Sequence, residues 1–190
     1  MKPEVGQSVD YSKLPPMEEG IYETIVKSYS KVENPYYHPV PYSSDKPVTR
    51  GRKVYQPGEV IPADPDYLAH QYQFVFEIAE GEHQGRWLFK RTGTMLTANE
   101  RNHMYKLFSK IIDVDLLIAL INDNDAPDID EDIVGQPVQC VVEIVDGKKG
   151  PTNKVAGFFR STRKPSEFES GDVDELDATM AAIGAEEIVS

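Results

Sequence analysis

Cysteine is nearly absent from this chain: Cys140 is the one cysteine among 190 residues. A lone thiol closes no internal disulfide. Cys140 lies in the apolar alternation 138–145, so it reads as a buried structural thiol in a reducing compartment. Long apolar runs are missing too. The longest apolar cluster, 114–121, falls short of the roughly 18–20 residues that a bilayer span needs, and aspartates flank it. The opening stretch MKPEVGQSVDYSKLPP has no apolar core of the kind a secretory leader carries. The expectation is a cytoplasmic protein without membrane contact.

Catalytic signatures are also lacking. No P-loop, Gly-x-Ser-x-Gly or His-Glu-x-x-His pattern occurs. His38, His70, His83 and His103 are scattered, without metal-ligand spacing toward Cys140. Asp123, Asp125, Asp128, Asp130 and Asp132 invite a calcium reading. With Asp128 as the first loop position, however, Ile133 falls where an EF-hand needs glycine and Gln139 where it needs glutamate. The expectation is a binding protein with no enzymatic activity, no metal and no cofactor.

Lysine and arginine are absent locally. Residues 166–190 hold eight acids and no basic residue, and so do residues 113–132. The net charge is −12, from 32 acids and 20 basic residues. Outside those two segments 16 acids face all 20 basic residues, so the body is mildly basic. Such segregation marks a charged tail on a body of different character.

The clearest stretch that is present is QYQFVFEIAEGEHQGRWLFKRTG, 71–93. Tyr72, Phe74, Phe76 and Ile78 alternate with polar residues, the period-two pattern of a half-buried strand. After the polar turn 80–85, the run 86–92 mixes Trp87, Leu88 and Phe89 with Arg86, Lys90 and Arg91, which completes a β-hairpin. Arg86, Leu88 and Lys90 share one face of it, and Trp87, Phe89 and Arg91 the other. The pattern does not say which face is inside. Core packing competes with exposure for the two aromatics.

The rest of the chain falls around this hairpin. Residues 1–19 read as an extended arm. Residues 20–33 have the β-branched and aromatic content of a long first strand. Residues 34–69 are too rich in proline for a helix and too long for an ordinary connection. They carry Tyr36, Tyr37, Tyr42 and Tyr55 among Arg50, Arg52 and Lys53. Aromatics interleaved with cations suit a nucleic-acid-binding loop, and tyrosines packed on the domain are the plainer alternative. In 96–114 the period changes: Met104, Leu107, Phe108, Ile111 and Ile112 recur at helical spacing, with Thr97 and Glu100 as a capping box. A short helix, 115–122, and an acidic loop to 132 follow. Residues 135–145 and 153–161 read as strands around a turn holding Lys148 and Lys149.

Strand, long loop, strand, strand, helix, strand, strand is the order of a five-stranded OB-fold barrel, with one or two helices in a mainly β chain. Its strand 2–3 face and its loops 1–2 and 4–5 bind oligonucleotides or oligosaccharides. The organisation expected is an arm (1–19), an OB-fold domain (20–165) with the insertion 34–69, and a disordered acidic tail (166–190). Within the tail Val173, Leu176, Met180 and Ile183 sit at helical spacing as a candidate partner-binding stripe.

LPPMEEGIYETIV, YQFVFEIAEGEHQGRWLFKR, IVGQPVQCVVEI and NKVAGFF together resemble a family of phage-encoded OB-fold single-stranded-DNA-binding proteins from replication and recombination clusters. The resemblance spans about residues 14–160 and does not include the long 34–69 segment. It implies non-sequence-specific binding of single-stranded DNA in the cytoplasm of an infected bacterial host. It also implies an acidic C-terminal tail. The tail is expected to compete with DNA for the basic groove and to recruit replication or recombination proteins, and a solubilising role is the plainer reading. Self-association stays open. The competing reading is an OB-like adaptor that binds a phage or host protein through its tyrosine-rich loop. A carbohydrate site would leave the cations unexplained.

Overall fold

The computed structural model describes residues 15–147 and 150–164. Lys148, Lys149 and the stripe Val173, Leu176, Met180 and Ile183 lie outside them. Nine strands and helices follow in order: β1 (Gly20–Glu33), β2 (Val48–Arg50), β3 (Lys53–Tyr55), β4 (His70–Ile78), β5 (Trp87–Gly93), α1 (His103–Ile111), α2 (Val114–Asn122), β6 (Pro137–Gly147) and β7 (Gly150–Arg160). Among the described residues no helix is long and apolar enough to cross a membrane.

The protein is mainly β. Five strands form one antiparallel sheet in the order β5-β4-β1-β6-β7. The long β1 joins its two halves. Along Thr24–Glu33 it pairs with β4, and along Gly20–Ile25 with β6. A bulge at Lys27 shifts the register between Val26 and Ser28, which bends and twists the strand locally. The sheet is not closed into a barrel. β5 and β7 come near each other, but no backbone ladder joins them. Instead the Lys90 ammonium donates to the Val155 carbonyl at 2.8 Å.

The alternation in β4 does what period two demands. Phe74, Phe76 and Ile78 turn inward and are buried with Val26, Leu88, Val138, Cys140, Val142 and Val155. The turn into β5 needs Gly81 and Gly85, both at positive φ, a region closed to most side chains. Helix α1 covers one side of the core with Met104, Leu107 and Phe108. Buried Cys140 meets the Thr24 hydroxyl at 3.3 Å, and burial pushes its thiol up to about 12. The expected structural thiol stands.

Four further expectations move. The helix starts at His103, not near Thr97. Asn102 is the cap, its side chain accepting from the Tyr105 amide and donating to the Met95 carbonyl and Thr97 hydroxyl. It is tied to both sides of the boundary, so the helix starts there and not at the Thr97–Glu100 box. Extended Ile112 separates α1 from α2, and Asp113 caps the second helix. The 34–69 connection is structured by the hairpin β2–β3 and the bridge Tyr42–Ile61. The arm ends in the fold: Met17 is buried, and its amide and carbonyl both bond the Asn153 side chain, at 2.8 and 2.9 Å. The last two strands run to Gly147 and Gly150, which pair with each other, so the turn is tighter than expected.

Candidate nucleic-acid interface

The sidedness of β5 follows from Leu88, which is 3% exposed, and from buried Thr92. Leu88, Lys90 and Thr92 therefore face inward. Trp87, Phe89 and Arg91 face outward, and Phe89 is 38% exposed. Opposite them on β4 stand Glu77, Val75 and Gln73. Val75 is fully buried although it is on the outer face, in register with Ser28 on one side and Phe89 on the other. The Arg91 Nε donates to the Gln73 amide oxygen at 2.8 Å, which fixes the plane of the guanidinium against the sheet. Glu77 pairs with Lys27 at 3.1 Å and Glu80 with Arg163 at 2.6 Å, so nearby carboxylates have their own cations. Two aromatic rings and a held guanidinium on one twisted face form a surface able to stack bases and meet phosphate.

Lys90 and Arg86, also expected to bind DNA but spaced for the opposite face, are bonded elsewhere. Lys90 is half-buried at the β5–β7 seam on Val155. Burial pushes its pKa down, and Lys154 and Lys106 add to that shift. The Arg86 guanidinium donates to the Pro15 carbonyl at 2.9 Å, holding the incoming chain. Sequence patterns missed the basic group at this seam: Lys90, Lys106, Lys154 and His103. The His103 pKa is lowered by burial first and by the three lysines second. These residues come from β5, α1 and β7, so no local spacing could have found them.

In the long loop the predicted residues divide in two. Asp64 is the hub of the first group. It accepts from the His38 amide at 2.8 Å and is ion-paired with Arg50, whose Nη2 donates to the Tyr42 hydroxyl at 2.9 Å. Tyr42 stacks on His38 with ring centroids 4.0 Å apart. Tyr37 donates to the Asp66 carboxylate at 2.9 Å. Arg50, Tyr42 and Tyr37 thus hold the loop together. The second group points outward: Tyr36 is 78% exposed, Arg52 is exposed at the β2–β3 turn after Gly51, and the Lys53 ammonium lies 4.2 Å from the Tyr55 ring centre.

The Asp64 hub has a pH signature. The His38 amide, and after it the Arg50 guanidinium, hold the Asp64 carboxyl below the usual 3.8 against the opposing push of burial. A depressed carboxyl pKa stabilises the fold above the unfolded value and ceases to do so as pH falls through the folded one. The Arg50 side-chain resonances and the amide of Ile61, which donates to the Tyr42 carbonyl, should therefore keep their folded positions down to about pH 4 and lose them only below it. Asp64→Asn should disperse them already at neutral pH.

Among the described residues no group of three or more His, Cys, Asp or Glu side chains is placed to hold a metal ion. Comparison of the chain with protein families, with characterised proteins and with solved structures finds no match in any of the three.

Proposed function

We propose that the chain binds single-stranded DNA without sequence specificity, on an OB-type barrel, in phage DNA replication, recombination or repair in the host cytoplasm. The observation that carries this is the outer face of β4–β5, where Trp87, Phe89 and Arg91 stand together. Bases stack on the two rings, and Arg91 neutralises phosphate. Exposed Tyr36, Arg52 and Lys53 on the loop offer a further ring and two further cations. An OB-type Greek-key barrel is partly open by nature, and a β5–β7 seam bridged by a lysine is compatible with one. The reading is of a binder and not an enzyme. The acidic tail competes with DNA for the cations and offers its Val173–Ile183 stripe to replication or recombination proteins.

The test is titration of a fluorescent oligo-dT at about 50 mM and about 200 mM salt, since each phosphate contact releases counterions and steepens the salt dependence. Affinity should fall with salt. Arg91→Ala should reduce the log–log slope by about one. Lys90→Met should leave the slope unchanged and lower the melting temperature, because Lys90 serves the seam. Absence of binding at low salt, or binding indifferent to salt, overturns the reading. Oligonucleotide-free capture of a protein through Tyr36 would favour the adaptor instead.

A further inference from the structure

On the core's edge, between the ends of β1 and β4, helix α1 and residues 124–130, lies an open cavity of about 650 Å³. We propose that it docks a segment of a partner protein in which a lysine or arginine sits beside a bulky apolar side chain.

The floor is apolar, and the surface around it is more polar than apolar. Tyr29 and Tyr72 meet edge to face at 5.6 Å and are only half-buried. Phe108 and Met104 line the cavity from α1, and Ile121 and Ile129 from beyond it. A volume of this size accepts one or two bulky side chains. The rim is acidic, with Asp125, Asp128 and Asp130, and no lysine or arginine lines the cavity.

The carboxylates are held in place. Asp128 accepts from the amides of Asp130 and Glu131, capping a single π turn, Ile129–Ile133. Asp130 accepts from the Tyr29 hydroxyl at 3.1 Å, and Asp125 from the Ala126 amide at 2.8 Å. Asparagine would make each of these bonds as well, since a neutral amide caps a turn about as well as a carboxylate. Local structure therefore accounts for the positions of the oxygens but not for their charge. A fixed negative rim around an aromatic cavity complements a cation on an apolar stem. It repels nucleic acid and the chain's own acidic tail, so this occupant is distinct from DNA.

The test uses a ten-residue peptide of alternating lysine and leucine, and a lysine–serine peptide of equal charge, titrated into the full chain by NMR. Shifts should concentrate at Tyr29, Tyr72 and Ile129. The lysine–serine peptide should bind at least about tenfold more weakly. The double variant D128N/D130N should lose about tenfold affinity for the lysine–leucine peptide, while E18Q/E82Q, an equal charge change at the other end of β1, should stay within about twofold. D128N/D130N should leave oligo-dT affinity unchanged. Equal weakening by both double variants, or shifts centred elsewhere, would mean non-specific attraction and overturn the proposal. Binding that emerges only after deletion of residues 1–14 would also overturn it, by assigning the cavity to the chain's own N-terminal segment.

Discussion

Replacing Trp87 and Phe89 together by alanine should lower affinity for oligo-dT by roughly thirtyfold or more, the largest functional loss any pair of substitutions gives. Each base stacked on an aromatic ring contributes about 1–3 kcal/mol, and two rings are lost. The rings lie on the outer side of β5, while the core is made by Leu88 and Thr92 on the other side. The variant should therefore keep its far-ultraviolet circular dichroism. Trp87 is the chain's single tryptophan, so DNA binding by the parent protein should change its fluorescence directly. Phe89→Tyr keeps a π face and should bind within a few-fold of the parent. If the double alanine variant stays folded and binds DNA as tightly as the parent, the β4–β5 face is not the site.

Phe74→Ala should destabilise the protein by about 3–5 kcal/mol, the largest loss of stability among single core truncations. Phe74 is fully buried. It stacks near Tyr29 at 6.0 Å and meets Phe108 edge-on at 6.2 Å, so it joins β1, β4 and α1. Removing it opens a cavity that the rigid sheet cannot collapse into. A loss of that size is a large share of the about 5–15 kcal/mol that holds a typical domain together. The urea midpoint, followed by Trp87 fluorescence, should fall by about 1 M or more. Tyr36→Ser, at an exposed loop position, should shift stability by less than about 0.5 kcal/mol. A Phe74→Ala midpoint within error of the parent would refute the central place given to this ring.

Much of the fold was legible because the signals were local. The bounds 20–33 for β1 coincide with the strand observed. The Phe74–Phe76–Ile78 alternation fell on the core, since period two is imposed by strand geometry itself. Met104, Leu107 and Phe108 were identified as the buried face of a helix by the same kind of argument. The helix start was misread because Thr97 and Glu100 offer a capping box, while Asn102 draws its advantage from bonds to Met95 and Thr97 that exist only once the chain has turned. The hairpin and the ties inside the loop 34–69 were not legible for a similar reason. The bond from Arg50 to Asp64 spans fourteen residues, and that from Tyr42 to Ile61 nineteen.

By itself the sequence determined, in outline, the five strands of the main sheet and the two helices, where the acids gather, and that an aromatic, cationic hairpin is central. These depend on backbone periodicity and composition, which each segment carries alone. Only the tertiary structure decided which side of Trp87–Arg91 meets solvent. That depended on Leu88 reaching a core that β1, β6, β7 and α1 also build. The same packing bonded Lys90, on the Leu88 side, to Val155 and Arg86 to Pro15, away from the Trp87–Arg91 face. A side chain's role is fixed by the partner it finds, and those partners lie sixty-five and seventy-one residues away.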